Sequence, residues 1–509
     1  MPKPVPDLSP DDEHNRRLAA NVCPHDWSNP TPAGRYNLVV LGGGTAGLVA
    51  AAGAAGLGAR VALVERHLLG GDCLNVGCVP SKTIIRSAHA AHAIADAERF
   101  GVRTTGGIEV DFAAVMERMR RTRADISPHD SARRFAEHYG VDVFFGDARF
   151  TDRDRVDAAG CELRFVRAVI ATGARAATPP IPGLAEAGFL TNDTVFDLTA
   201  SPRRLAVVGG GPIGCELAQA FARLGTEVTL IEMTDRLLPR DDSDAAELVR
   251  RSLERDGVVV RTGHTLAQVT LDADGKRLAL DAADGPAECR VDEILVSVGR
   301  TPNIETLDLG AAGVDHDRAG VVVDDHLRTT NRRVFASGDV CLASKFTHIA
   351  DAASRIVLQN ALFPFPKKRF SDLVLAWSTY TDPEVAHVGL SPADARDRGL
   401  PVETVTVGMD DVDRARADGD TEGFLKIHVD PRKGTIHGAT FVCRRAGDLI
   451  SEIATAIKAG LRLGDMAAVI HPYPTIAEAV RKAADQFNRR KLTPFAARLL
   501  ERWFAWQRK

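Results

Sequence analysis

The 509-residue sequence is poor in cysteine, in long apolar runs and in excess charge of either sign. Eight cysteines are too few for a disulfide scaffold and fit a reducing compartment. No stretch of eighteen apolar residues occurs, so we expect no transmembrane helix. The formal net charge of −4 provides no basic field of the kind that binds nucleic acid, and we expect no nucleic-acid partner.

The N-terminal segment, residues 1–35, is rich in proline and lacks an apolar core. It is therefore unlike a secretory signal, and we expect a cytoplasmic protein. Because little periodicity is visible in it, we expect an extension that is loose or that orders on docking. The length and the 45% hydrophobic content of the whole chain predict about three domains with a large core.

What the sequence does contain is a cysteine pair in an unusual segment. Residues 70–82 read GGDCLNVGCVPSK and include Cys73 and Cys78. Residues five apart in an ideal helix lie roughly 8 Å apart at Cα, whereas a disulfide tolerates no more than about 7 Å. If the two bridge, Cys73 must therefore lie in a distorted or pre-helical turn. A thiol at a helix N-terminus has a lowered pKa, which favours the reactive thiolate.

This pair predicts a redox enzyme, since a dithiol beside a bound dinucleotide can accept and pass on electrons as a disulfide. The remaining cysteines are scattered singly and are expected to be structural or inert: Cys23, Cys161, Cys215, Cys289, Cys341 and Cys443.

A glycine-rich nucleotide motif precedes the cysteine pair. A predicted strand ends in a turn with Gly42, Gly44 and Gly47, an Ala/Gly-rich helix follows, and a second strand ends at Glu65. Such glycines allow a tight turn, the approach of backbone to a pyrophosphate and the contact of helix with strand. The phosphates would lie at the helix N-terminus, and Glu65 would accept hydrogen bonds from a ribose.

The same pattern recurs over residues 205–232 and ends at Glu232. Its glycines are Gly209, Gly211 and Gly214. The chain is therefore predicted to bind two dinucleotides. A carboxylate at Glu232 hydrogen-bonds the ribose 2′-hydroxyl of NAD and repels the 2′-phosphate of NADP, so NADH is favoured although Arg236 lies nearby in sequence.

Further predicted strands end at a glycine with polar residues beyond it, where doubly wound sheets bind ligands. They supply Thr172 and Gly173, Gly299, and Asp339, which we expect to reach the first nucleotide. From about Leu373 onward, alternating segments at 423–430 and 435–443 predict antiparallel strands, and 450–461 predicts a helix. A third, α+β domain is thus expected.

In this order the motifs resemble those of the class I pyridine nucleotide–disulfide oxidoreductases, over about residues 36–488. The resemblance implies an α/β fold with two Rossmann-like domains, for FAD and NAD(P), and a C-terminal α+β dimerisation domain. The implied division is an extension (1–35), an FAD-binding domain in two parts (36–185 and 306–372), an NAD(P)-binding domain (186–305), an interface domain (373–488) and a basic aromatic tail (489–509).

The resemblance also implies residue roles. FAD would bind at Gly42–Gly47, Glu65 and Asp339. Cys78 would face the flavin and form a charge-transfer pair when reduced, while Cys73 would be the interchange thiol. Lys82 would lie near the flavin nitrogen that takes hydride and pair with Glu216. The protein would be a homodimer in which each subunit completes the active site of the other.

One departure from the disulfide reductases of this family concerns the acid–base histidine. Their motif is His-Pro-Thr-x-x-Glu, and counting back from Glu478 places Tyr473 at the histidine position, with His471 two residues earlier. A phenol titrates near pH 10 and is a poor proton shuttle for a dithiol. Mercuric reductases are similar here, because they carry tyrosine at this position.

A soft divalent metal prefers thiolate ligands, so if Hg(II) is the acceptor, Cys73 and Cys78 would bind it during its reduction. The chain lacks the C-terminal cysteine pair typical of mercuric reductases, however, and has no cysteine after Cys443. The acceptor therefore stays open between Hg(II), a related soft metal and a thiol compound. The alternatives are a dihydrolipoyl dehydrogenase or other disulfide reductase that uses His471, and, in a different class, a flavin–dithiol redox sensor or electron-transfer partner.

The tail, residues 489–509, alternates aromatic and basic side chains. A helix of this kind can lie on a membrane surface, although such stripes more often pack on their own domain or on a dimer partner.

Overall fold

A computed structural model describes residues 8–103, 105–283, 285–490 and 492–508. The helices are α1 Glu13–Val22, α2 Thr45–Gly56, α3 Gly71–Asn75, α4 Cys78–Ala95, α5 Phe112–Ile126, α6 Leu184–Ala187, α7 Pro212–Arg223, α8 Ser243–Arg255, α9 Leu309–Ala312, α10 Thr347–Leu362, α11 Pro392–Asp397, α12 Asp413–Asp418, α13 Ala446–Ala459, α14 Glu478–Arg489 and α15 Pro494–Gln507. Within the described ranges, none of these helices is both long and apolar enough to cross a bilayer.

The strands are β1 Arg35–Leu41, β2 Val61–Glu65, β3 Asp142–Phe145, β4 Ala148–Asp152, β5 Arg155–Ala158, β6 Cys161–Ile170, β7 Ala174–Ala176, β8 Arg204–Val208, β9 Glu227–Glu232, β10 Val259–Thr262, β11 His264–Asp272, β12 Gly275–Ala282, β13 Ala287–Val291, β14 Glu293–Val296, β15 Arg300–Pro302, β16 His316–Asp317, β17 Gly320–Val321, β18 Val334–Ala336, β19 Ala376–Thr379, β20 Glu384–Gly389, β21 Glu403–Gly408, β22 Phe424–Val429 and β23 Ile436–Cys443. They divide between two compact units, one of Met1–Met233 with Asp256–Leu373 and one of Thr234–Arg255 with Val374–Lys509.

The first unit contains a parallel sheet in the order β3-β2-β1-β6, extended by β18 and by the antiparallel strands β5 and β4. Its buried side chains read as near-continuous apolar runs, as expected for parallel strands covered on both faces. The register pairs Leu41 and Ala336 with Ile170, so that β1, β6 and β18 end level. The segments that follow these strands therefore lie along the same edge of the sheet.

A second parallel sheet of the same unit has the order β10-β9-β8-β14, and β11-β12-β13 form an antiparallel sheet. Val208 pairs with Ile231 and Val296, so β8, β9 and β14 also end close to one level. The two glycine motifs thus occupy equivalent places, each at the carboxyl edge of a parallel sheet.

The second unit is built on a five-stranded antiparallel sheet, β19-β20-β23-β22-β21. Helices α13 and α14 pack their apolar faces on it, and Phe441, Ile453 and Val480 are among its buried side chains. The fold is thus α/β with two Rossmann-like domains and a C-terminal α+β domain, as the sequence predicts. The domain boundaries given above stay predictions.

The N-terminal segment corrects one expectation. Residues 13–22 form a regular helix, in which Leu18 and Val22 are fully buried. Their four-residue spacing places them on one helix face, which packs against α5. Of the two expected alternatives, a loose extension is therefore excluded for α1, and an extension that is ordered by docking agrees with its packing against α5.

Candidate active site

The cysteine loop, residues 69–78, places its two cysteines in separate helices. Cys73 lies in α3, and Cys78 is the first residue of α4. Between them the chain turns at Gly77, where a Cβ would stand only 2.8 Å from the carbonyl oxygen of Asp72. The turn interrupts what would otherwise be a helical spacing and places the two thiols close enough for each to shift the pKa of the other. The helix is thus distorted between the cysteines, as the spacing argument requires.

Both cysteines are free thiols of opposite acidity. The hydrogen bond with Cys73 lowers the pKa of Cys78 to about 6, an effect opposed by partial burial and reinforced by Thr347 and Lys82. The same hydrogen bond, together with burial, raises the pKa of Cys73. Thr347 Oγ1 lies 3.2 Å from Cys78 Sγ. At neutral pH the pair therefore presents a thiolate at Cys78 and retains a proton at Cys73.

Lys82 follows Cys78 by four residues on α4 and so lies on the same helix face. Its Nζ lies 2.6 Å from Oε2 of Glu216 on α7, and the Glu216 side chain is only 5% exposed. A buried carboxylate needs such a partner, because charge burial without pairing is costly. The structure thus brings together Cys73, Cys78, Lys82 and Glu216.

The first glycine turn is closed by a hydrogen bond between its backbone and the acid at the end of β2. Gly43 N donates to Glu65 Oε2 at 2.6 Å. A Cβ on Gly47 would stand 1.8 Å from the carbonyl oxygen of Gly42, so helix and strand meet as closely as a dinucleotide turn requires. Gly44 precedes α2 and leaves the first amides of that helix directed at the sheet edge.

The second glycine turn repeats this geometry. Gly210 N donates to Glu232 Oε2, again at 2.6 Å and again across 22 residues. A Cβ on Gly214 would stand 1.9 Å from the carbonyl oxygen of Gly209. Gly211 precedes α7 as its counterpart precedes α2. The internal repeat read from the sequence is thus a repeat of hydrogen bonds as well as of residues.

Open space remains beside both turns. A Cβ added at Gly173, Gly211 or Gly299 would meet no atom within 4 Å. Thr172 is held in place by Asn303, which accepts from its hydroxyl at 2.7 Å and donates back to its carbonyl at 3.0 Å. A dinucleotide requires a particular set of donors and acceptors: backbone amides at helix N-termini, a terminal carboxylate and an open strand edge. The residues present therefore fit a dinucleotide at each turn.

Arg300 is a site residue that the sequence analysis missed. Its guanidinium donates to the Asp72 carboxylate and to the carbonyl of Ala174, and its Nε lies 3.3 Å from Asp339 Oδ2. Burial raises the pKa of Asp339, and Arg300 and Lys345 counteract that effect. Arg300 thus ties the cysteine loop to Asp339. The only signal for it in the sequence was its position directly after Gly299.

The second unit contains the segment at the expected acid–base position. His471 is 5% exposed at its side chain, with Nε2 at 2.8 Å from Glu452 Oε1 and Nδ1 at 3.1 Å from the carbonyl of Val469. Tyr473 is 72% exposed and donates its hydroxyl to Asp413 Oδ2 at 3.1 Å. This bond raises the pKa of Tyr473. The imidazole is therefore occupied at both nitrogens, whereas the phenol is accessible and stays protonated at neutral pH.

Glu478, at the end of the same segment, is 6% exposed. Its Oε1 accepts from Arg481 at 2.6 Å, while its buried Oε2 has no hydrogen-bond partner among the described residues.

Comparison with known proteins agrees with this geometry. The family model described as pyridine nucleotide-disulphide oxidoreductase matches residues 36–355, and the model of its dimerisation domain matches residues 375–484. The chain is 34% identical over 455 residues to mercuric reductase of Lysinibacillus sphaericus, covering 89% of this chain and 83% of that protein. It is 34% identical over 459 residues to dihydrolipoyl dehydrogenase of Haloferax volcanii, covering 88% and 95%.

Among solved structures, a Cu(II) complex of the HOCl-induced flavoprotein disulfide reductase RclA from Escherichia coli is similar, with a TM-score of 0.77 and 28% identity over 87% of this chain and 98% of that one. The two family models match consecutive parts of the chain, and the relatives are covered over most of their length. The chain belongs to the pyridine nucleotide–disulphide oxidoreductases, a family that depends on FAD and a pyridine nucleotide and carries a dimerisation domain.

Proposed function

We propose that this oxidoreductase reduces a thiophilic metal ion, Hg(II) or a related soft metal, at Cys73 and Cys78. The observation that carries the proposal is the state of the acid–base segment: an exposed, protonated Tyr473 stands at the histidine position, and His471 is buried and bonded to Glu452. Exchange between thiols needs a base there, whereas reduction of a metal ion does not.

The thiol pair suits a soft metal. Cys78 is available as a thiolate at neutral pH, and Cys73 releases its proton when it becomes the second ligand. When bound, FAD and the reduced pyridine nucleotide supply the two electrons that convert Hg(II) to Hg(0). Lys82, paired with Glu216, stabilises negative charge at Cys78. The RclA relative, which was solved with Cu(II), supports a metal acceptor by analogy.

The coenzyme is proposed to be NADH. Glu232 lies at the end of β9 with its carboxylate bonded to the turn. A carboxylate in this position repels a 2′-phosphate. Arg236 is engaged with the carbonyls of Pro239 and Asp241 in its own loop. The working form is proposed to be a cytoplasmic homodimer with shared active sites, on the resemblance and the dimerisation domain.

A second candidate is a disulfide reductase of the dihydrolipoyl dehydrogenase type. The observation that favours it is the contact of His471 with Glu452, because a carboxylate orients the imidazole, which would act as a base through Nδ1 after releasing the carbonyl of Val469. In this case His471, and not Tyr473, would be the acid–base group for thiol exchange.

An acceptor panel separates the two candidates. The purified yellow protein is reduced anaerobically with NADH, and thiol-buffered Hg(II), Cu(II), lipoamide and a quinone are then offered. We expect a metal ion to restore the oxidised spectrum fastest, and Cys78→Ser to lose both the long-wavelength thiolate–flavin band and this activity. A colourless protein would overturn the cofactor assignment.

Tyr473→His is the companion variant. It should raise lipoamide reduction by about 10²-fold or more, the usual contribution of a positioned acid–base group, and change metal reduction little. Lipoamide turnover by the native chain equal to that of a histidine-bearing relative would instead establish the second candidate.

A further inference from the structure

The N-terminal arm, residues 8–35, has no role in the function proposed above, yet it reaches the cysteine loop. Helix α1 begins at an N-cap in which Asp12 accepts from Asn15 N at 2.8 Å. Buried Leu18 and Val22 hold the helix against α5. Apolar contacts thus hold the arm on α5 independently of its polar contacts.

A buried relay connects the arm with the loop. Arg123 of α5 donates through Nη2 to Asn15 Oδ1 and through Nη1 to the carbonyl of Asn75, both at 2.6 Å. Asn15 and Arg123 are each 2% exposed. Asn15 Nδ2 donates to Pro10 O at 2.8 Å, which directs the amide oxygen at the guanidinium.

Asn75 organises the cysteine loop from inside. It is the last residue of α3, directly before the turn that separates the cysteines. Its side chain donates to the carbonyls of Leu69 and Gly71 at 3.0 and 2.9 Å. The arm also accepts from the loop directly, since Leu69 N donates to Val22 O at 3.1 Å. The arm therefore contacts the loop directly at Leu69, ahead of α3, and through Arg123 at Asn75, the last residue of α3.

The relay has little redundancy. Burial lowers the pKa of Arg123 to about 10, with Asp197 as the main opposing charge. Arg123 Nε is buried without a hydrogen-bond partner among the described residues. A buried guanidinium that loses one of its two acceptors must move or draw in water. Loss of the Asn15 oxygen would therefore disturb the carbonyl of Asn75.

We propose that the arm is part of the redox site: through Asn15 and Arg123 it fixes the backbone turn that sets the contact between Cys73 and Cys78. Asn15 and Arg123 are positioning residues, since neither touches a reacting atom. The inference rests on the redox role of the cysteine pair and not on the identity of the acceptor.

The test measures the thiolate and not turnover. The full-length holoprotein is reduced, and the rate of iodoacetamide reaction at Cys78 is followed against pH. Because the thiolate is the reactive form, the rate should rise as pH increases through about 6 and then level off. Asn15→Leu, which keeps the size and removes the acceptor, should move this midpoint upward by about one unit, a roughly fivefold lower rate at pH 6.

Two control variants, Asn15→Asp and Arg17→Ala, accompany this measurement. Asn15→Asp keeps an oxygen toward Arg123 and should hold the native midpoint. Arg17→Ala removes the arm's surface bonds to Asp125 and to the carbonyl of Arg121 and should also leave it unchanged. If Asn15→Leu does not fold, Arg123→Lys, which keeps the charge but not the paired donors, should show the same upward shift.

A native midpoint in Asn15→Leu or Arg123→Lys, with only a lowered melting temperature, would overturn the inference and leave the arm a structural element. Failure of the acceptor panel leaves this measurement intact, because alkylation requires no acceptor. The two proposals can therefore fail separately.

Discussion

The two ends of the chain each carry a helix that begins with a well-formed N-cap, and the two helices differ in burial. In α1 the side chains of His14, Asn15, Leu18 and Val22 are buried. In α15, which starts at Thr493 with Pro494 in its first turn, no side chain is buried. Leu18 is fully buried, whereas Leu499 is 59% exposed.

The difference teaches that capping and amphipathic pattern create a helix but do not decide what covers it. The helix α15 has the larger and more numerous apolar side chains, with Trp503 and Trp506 in contact at 5.3 Å between ring centroids. The helix α1 has only two large apolar residues on its stripe, but it gains a buried polar contact through Asn15. The helix with fewer apolar side chains is the one that is integrated into the fold.

Matched leucine truncations test this contrast with the largest expected effect. Leu18→Ala removes a fully buried side chain and should lower the free energy of unfolding by about 2–5 kcal/mol. Leu499→Ala should stay within about 0.5 kcal/mol, because its side chain is mostly in solvent. Urea denaturation of both variants provides the comparison. Equal losses of unfolding free energy in Leu18→Ala and Leu499→Ala would mean that α15 is covered in the working protein.

Matched cap removals should give a smaller effect. Asp12→Ala should lower the free energy of unfolding by about 1 kcal/mol. Thr493→Ala should fray only α15 and leave the unfolding midpoint unchanged. Burial opposes ionisation of Asp12, but hydrogen bonds from Asn15 and Arg120 outweigh it and lower its pKa below 3.8. The contribution of Asp12 is therefore present above about pH 4 and lost as pH falls through that lowered pKa. A gap between native protein and Asp12→Ala that persists in strong acid would contradict this assignment.

The sequence was a good guide wherever function requires a local pattern. Both glycine turns, their terminal acids Glu65 and Glu232 and the broken helix between the cysteines follow from spacing and steric argument. The relay from Asn15 to Arg123 and the bridge from Arg300 to Asp72 do not, because they join residues 108 and 228 positions apart. Periodicity reports which apolar faces are buried, and it carries no information on which distant polar groups meet.

Removal of the exposed tail should have the smallest effect on stability. It is also the most direct test of what covers the apolar side chains of α15. At 100° per residue, Arg498 and Arg502 form one stripe along α15, and Leu499 and Trp503 form a second stripe about 100° around the helix from it. Such a helix can lie on an anionic bilayer surface, although stripes of this kind more often pack on their own domain or on a dimer partner, and membrane contact is the hypothesis that the deletion below tests.

Deleting residues 492–509 should leave the melting temperature and NADH oxidation unchanged, because no side chain of α15 is buried, and should abolish pelleting with phosphatidylglycerol vesicles. Phosphatidylcholine vesicles are the control for the charge requirement. If the full-length and shortened chains pellet equally, the membrane prediction is wrong. A shift of the shortened chain from dimer to monomer in sedimentation velocity would then assign the apolar face to a second copy, and α15 would resemble α1 in being buried, though by a partner rather than by its own fold.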